Sequence, residues 1–144
     1  MAGFLGTRAP FVADLSLLLT WLFGIVAIVG AMNGRRRCIR KHCPVMATGA
    51  LLNWIPALMI MIPRCLGVVV VGADLPGGAP KLPPIGHGLL GGAAQLLMTY
   101  TVTRMYWLEN IPPRKPIWLM RTTIILWMLS LLGGSFVYLL LYVF

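Results

Sequence analysis

Charge is what this sequence lacks. Only 10% of its 144 residues are Asp, Glu, Lys or Arg, and just three of those are acidic. Soluble domains carry about 25% charged residues, and a chain this poor in charge cannot cover a water-facing surface. That excludes an ordinary soluble enzyme, a disordered tail and a nucleic-acid module. With three acids and two histidines in all, there is no acid/base pair, no Ser/His/Asp set and no carboxylate near the middle of an apolar run. A stand-alone enzyme or transporter is therefore a weak reading. Internal repeats, low-complexity tracts and a second domain are absent too.

What is present is apolar. Hydrophobic residues make up 59% of the chain, and the net charge of +9 is confined to short stretches between apolar runs. At about 20 residues per crossing, one domain of this length has room for four membrane helices and short loops. The runs fall at 11–32, 44–63, 85–108 and 117–143. The first is broken only by Asp14, Ser16 and Thr20 and ends at Asn33-Gly34, a helix-stop pair. It is too long for the apolar part of a cleavable signal peptide, and its basic cluster follows rather than precedes it, so it reads as a retained span. The second opens at Pro44, placed in a first turn where a missing N–H costs nothing, and Pro56 predicts a kink. The stretch from Leu66 to Val71 is too short to span. It extends the second helix or lies at the interface, and the turn-rich segment from Gly72 to Pro80 follows. The expected fold class is all-α, a four-transmembrane-helix up-down bundle forming one integral membrane domain.

Basic residues orient such a bundle, because Lys and Arg are retained on the cytoplasmic side. The first connection carries the cluster Arg35, Arg36, Arg37, Arg40 and Lys41, and the third region adds Arg104, Arg114, Lys115 and Arg121. Arg8, Arg64 and Lys81 fall on the other side. The asymmetry predicts both termini on the non-cytoplasmic side, with anionic headgroups as partners of the basic cluster.

In a bilayer the informative residues are the polar ones, since burying charge in hydrocarbon is costly. Asp14, Arg104 and Arg121 lie near helix ends, where interfacial anchoring is expected. Glu109 caps its helix or pairs with Arg104 or Arg114. Asn53 and Gln95 are the deepest polar groups. Interhelical hydrogen bonding is the default for them, with a substrate or proton path as the sharper alternative. The histidines raise the question of haem. Bis-histidine ligation needs both rings at one depth on facing helices, whereas His42 opens the second helix and His87 opens the third from the opposite side. Mixed His/Met sites, with Met46 beyond His42 and Met59 or Met61 at the depth of His87, are the remaining option. Cys38, His42 and Cys43 lack the fourth ligand and paired spacing of a zinc motif, and Cys65 lies across the membrane from both cysteines. No cofactor or metal of its own is expected, and free thiols are the plain reading.

Small residues give a stronger signal. Gly86, Gly88, Gly91, Gly92, Ala93 and Ala94 crowd the third run, and Gly133, Gly134 and Ser135 mark the fourth. Small residues let helix backbones approach closely. His87, Gly91 and Gln95 share one stripe at helical spacing, while Gly88 and Gly92 share another. One stripe suits the protein's own helices, and the other is free to meet a partner helix, lipid or pigment. Trp21, Trp107, Trp118, Tyr138 and Tyr142 fit interfacial belts.

Three segments together resemble a family of small, uncharacterised, bacterial four-helix membrane proteins found near haem-copper oxidase assembly genes. They are Arg40-Lys41-His42-Cys43-Pro44-Val45-Met46, the His87-Gly88-Leu89-Leu90 opening of the third run, and Arg121-Thr122-Thr123 before Trp127, Gly133-Gly134 and Tyr138. The family carries a further histidine shortly before the last segment. This chain has Arg114-Lys115-Pro116-Ile117-Trp118 there, so no metal or haem role is carried over. The resemblance implies a bacterial inner-membrane location and an accessory or assembly role around a respiratory enzyme, not a reaction. Two functions stay open. One is a non-catalytic accessory subunit of a respiratory or photosynthetic redox complex, contacting lipid or a neighbouring subunit's cofactor. The other is an assembly factor for haem-copper oxidase.

Overall fold

The computed structural model describes residues 3–36, 39–72, 74–75, 78–107 and 117–144. Arg37, Cys38, Leu108, Glu109, Arg114 and Lys115 lie outside the described residues. Every regular element among the described residues is helical: α1 (Phe11–Arg35), α2 (Ile39–Leu52), α3 (Trp54–Pro56), a π-helical turn (Ala57–Met61), α4 (Ile62–Val69), α5 (Leu82–Trp107) and α6 (Ile117–Tyr142). α1 packs on α2 and α6, and α5 packs on α6 and α2.

Three helical stretches, Phe11–Arg35, Arg40–Val69 and Ile117–Tyr142, are long and apolar enough to cross a membrane. α5 is equally long but falls short in apolar content. Its sequence explains why, since it carries His87, Gln95, Thr99, Thr101, Thr103 and Arg104 among its glycines. The distribution of side chains is inside-out. Asp14, Asn53, Gln95, Thr101, Arg104, Thr123 and Ser130 are buried, whereas Leu18, Leu22, Ile25 and Val29 form an exposed apolar stripe on α1. Ile125, Leu129, Leu132, Phe136 and Leu139 do the same on α6. Soluble monomers seldom expose apolar patches beyond a few hundred Å². A hydrocarbon solvent is the environment in which these faces carry no penalty, so the chain is an integral membrane protein.

The core is small because small residues make it. Ala27, Ala50 and Ala94 bring α1, α2 and α5 close around Phe23, Met98 and Trp127. A second cluster joins Ala9 and Ala13 to Tyr138 at the other end of α1.

Several boundaries differ from the sequence reading. Asn33-Gly34 does not stop α1, which continues to Arg35. Gly34 is instead a contact position, since a Cβ there would lie 2.9 Å from His42 Nδ1. Pro44 is interior to α2, not in its first turn, because the helix already begins at Ile39. α5 starts at Leu82 rather than 85, with Pro83 and Pro84 in its first turn, where their missing N–H groups have no helical partner to lose. The valine run continues the second rod, as α4 reaches Val69. The kink expected at Pro56 is a longer irregularity. A turn at Asn53, the short α3 and the π-turn separate α2 from α4, because Pro56 and Pro63 each remove one N–H from the i→i−4 ladder. A π-turn widens a helix locally and recurs at functional sites.

Candidate functional site

The irregular stretch of the second rod, the glycine-bearing half of α5 and the C-terminal half of α6 do not close on one another. Between them lies a cleft of about 1180 Å³. Asn53, Trp54, Ala57, Ile60 and Met61 line it from the interrupted rod, and Gly88, Gly92 and Leu96 from α5. The glycines explain the opening. Among the described residues nothing lies within 4 Å of where a Cβ on Gly92 would stand, whereas one on Gly88 would meet Cys65 Sγ at 2.8 Å. The Gly88/Gly92 stripe is therefore divided, with Gly88 against the protein's own α4 and Gly92 facing the cleft. Gly91, on the other stripe, faces α6, where its Cβ would come 2.9 Å from Ser130 Oγ.

The deepest polar group of the cleft is an amide pair. Asn53 Nδ2 donates to Gln95 Oε1 at 2.8 Å, and Gln95 Nε2 donates to the Ala50 carbonyl at 2.9 Å. Both side chains are buried. Asn53 stays in helical geometry between α2 and α3, with its N–H on the Gly49 carbonyl at 3.0 Å and its own carbonyl accepting from Ala57 at 3.3 Å, so its side chain is free to cross to α5. Beside it, Trp54 Nε1 donates to Thr99 Oγ1 at 3.0 Å, a second tie from the interrupted rod to α5.

His87 stands about two turns from Gln95 and about three from Thr99 on α5. Its ring has Nδ1 buried without a partner among the described residues. It lies against α6 because position 134 is glycine, where a Cβ would stand 2.9 Å from His87 Cε1. His42 serves a different end of the molecule. Its Nδ1 donates to the Gly30 carbonyl at 2.7 Å and ties α2 to α1. The two histidines thus have separate neighbours, with one on α1 and the other on α6.

Asp14 departs most from its expected role as an interfacial anchor. It is fully buried. Tyr138 donates its hydroxyl to Asp14 Oδ1, and the Leu5 backbone N–H donates to Oδ2 at 2.9 Å. Thr7 Oγ1 lies 2.7 Å from the Tyr138 oxygen and donates to it, since the tyrosine proton is already committed to Asp14. The segment before α1 folds back over the carboxylate, with Gly3 N–H bonded to the Ala9 carbonyl. Nothing local in the sequence signals this cluster, because Asp14 and Tyr138 are 124 residues apart. Arg104 is also buried rather than set at the exposed rim, and it donates from Nη1 to the Tyr100 hydroxyl at 3.2 Å. Arg121 does sit at an exposed helix end, stacked 5.8 Å from the Trp118 ring. Arg35, Arg36, Arg40 and Lys41 are all exposed around the α1–α2 connection. Trp21 is more than a belt residue, as its Nε1 donates to Ser135 Oγ at 3.1 Å and joins α1 to α6.

Among the described residues, no three of His, Cys, Asp and Glu gather as a metal site would require. Cys43 and Cys65 are free thiols. The chain matches no protein family, no curated protein and no solved structure.

Proposed function

We propose that this chain is a small, non-catalytic accessory subunit of a larger membrane complex of respiratory or photosynthetic redox type, acting through helix packing and stabilisation. The observation that supports it is where the polar side chains go. His42 joins α2 to α1, Trp21 and Tyr138 join α6 to α1, and Gln95 joins α5 to α2. The Thr101 and Thr123 hydroxyls meet at 3.3 Å between α5 and α6. Polar groups arranged in this way hold helices together; they do not converge on a reactant. In this reading α5 is the fourth crossing of an up-down bundle. Gln95 turns toward α2 and Thr101 toward α6, and Leu89 turns outward. Both termini lie on the non-cytoplasmic side, with the basic cluster against anionic headgroups of a bacterial inner membrane. Other membrane subunits are the partners, and any cofactor contacted belongs to a neighbour.

Purification of the tagged chain in mild detergent, with mass spectrometry of what co-migrates, tests the reading. A redox complex recovered at constant stoichiometry is expected. Migration of the chain alone, with no other membrane protein, would overturn it. An assembly factor for haem-copper oxidase, the alternative drawn from the motif resemblance, predicts recovery only with immature oxidase and in less than stoichiometric amount.

A further inference from the structure

The cleft is open on its apolar length and carries cationic groups at one end. Along α6 its lining runs from Trp127 to Tyr142, about 22 Å at the rise of an α-helix. One leaflet of hydrocarbon is about 15 Å deep, so the cleft is as long as an acyl chain and the ester region above it. At the upper end Arg8 and Arg64 both line the opening. They flank one feature. Arg64 Nη1 donates to the Tyr142 hydroxyl at 3.0 Å, the Tyr142 and Tyr138 rings meet at a tilt of 58° with centroids 5.4 Å apart, and Thr7, beside Arg8, is bonded to Tyr138. Two carboxylates are near. Asp14 is enclosed by Tyr138 and the Leu5 amide, and Asp74, an exposed residue that also lines the cleft, has its counter-charge in Lys81 at 3.5 Å. Both guanidinium groups are on exposed residues.

We propose that the cleft is a binding site for an anionic diacyl phospholipid drawn from the leaflet on the Arg64 side. Its phosphate lies between Arg8 and Arg64, and its acyl chains lie against Ala57, Met61, Gly92 and Val137. A cleft of about 1180 Å³ exceeds the roughly 300–1,000 Å³ that small-molecule sites occupy, which suits a two-chain lipid. The missing side chain at Gly92 and the π-turn opposite make the room. A partner helix is the competing occupant. It would place side chains at the arginine end with no requirement for negative charge, whereas a phosphate meets the two guanidinium groups directly. The site is independent of which complex the chain serves.

Trp54 and Trp127 line the cleft and report on its contents. In a Trp21→Phe, Trp107→Phe, Trp118→Phe background the full chain is reconstituted into phosphatidylcholine vesicles doped with brominated-tail lipid, whose bromine quenches nearby indoles. Brominated phosphatidylglycerol is expected to quench at a far lower mole fraction than brominated phosphatidylcholine. Each arginine contributes about fivefold preference for anionic lipid, hence about 30-fold for the two. Arg8→Gln with Arg64→Gln should remove that difference while leaving weak quenching by both lipids. Gly92→Leu should reduce quenching by both. Equal quenching in the parent, or an unchanged preference in the double arginine variant, would overturn the proposal. Absence of quenching by either lipid would show a cleft filled by protein and overturn it as well. Native mass spectrometry of the unsubstituted chain from mixed phosphatidylcholine/phosphatidylglycerol vesicles gives a second reading free of tryptophan substitutions. One retained phosphatidylglycerol per chain is expected, and none retained contradicts the site.

Discussion

The Asn53–Gln95 pair allows a test in which the sign of a coupling, not just its size, is fixed by geometry. Replacing Gln95 with Leu removes two hydrogen bonds, one from Asn53 Nδ2 and one to the Ala50 carbonyl. It also leaves the Asn53 amide buried with no partner. Interhelical hydrogen bonds in membranes average about 0.6 kcal/mol, and a buried orphaned polar group costs about 1–3 kcal/mol. Gln95→Leu should therefore destabilise by about 2–4 kcal/mol. Asn53→Leu removes one bond and leaves Gln95 Oε1 without its donor, while Gln95 Nε2 keeps the Ala50 carbonyl, so about 2–3 kcal/mol is expected. In the double variant neither amide remains to be orphaned, and two leucines of similar volume meet in apolar surroundings. Its cost should be about 1–2 kcal/mol, well below the sum of the singles. Reversible unfolding of the four proteins in mixed micelles of dodecyl maltoside and sodium dodecyl sulfate measures the cycle. Additivity within about 0.5 kcal/mol would refute the argument, because it would mean that the two amides do not depend on each other.

The glycines should separate by what faces them. Gly134→Ala drives a Cβ to 2.9 Å from the half-buried His87 ring and should cost about 1–3 kcal/mol; Gly92→Ala meets nothing within 4 Å among the described residues and should stabilise by about 0.5–1 kcal/mol through helix propensity. Thermal unfolding in detergent compares the two, and equal shifts would contradict the packing described. Tyr138→Phe removes the hydroxyl that bonds both Asp14 and Thr7, so hydrogen exchange should quicken by severalfold over residues 3–9 while the centre of α6 is unchanged. The separate surroundings of His42 and His87 predict that the purified chain shows no b-type Soret band. A band lost in both His42→Ala and His87→Ala would reverse that assignment.

Composition alone determined the solvent. A chain that is 59% hydrophobic and 10% charged has no other way to cover its surface, and the length of each run followed from the thickness of hydrocarbon. Helical periodicity also placed Gly91 and Gln95 on one stripe and Gly92 on another, because side-chain direction along a helix is a local property. The pairing of Asn53 with Gln95 was legible as a type of interaction, since two deep amides in hydrocarbon each need a partner. Their mutual geometry was not, because it depends on how α5 docks against the second rod, 42 residues away in sequence.

Tertiary structure decided everything that joins distant segments. Asp14 reads as an anchor until the chain before α1 folds back and Tyr138 arrives from the far end of the sequence. Gly34 reads as a stop signal until the His42 ring is packed on it, and Pro44 reads as a helix start until the turn before it is seen to be helical. The cleft has no sequence signature at all. It exists because glycine on α5 faces a widened turn on the second rod, and a void is a relation between surfaces that neither surface records alone.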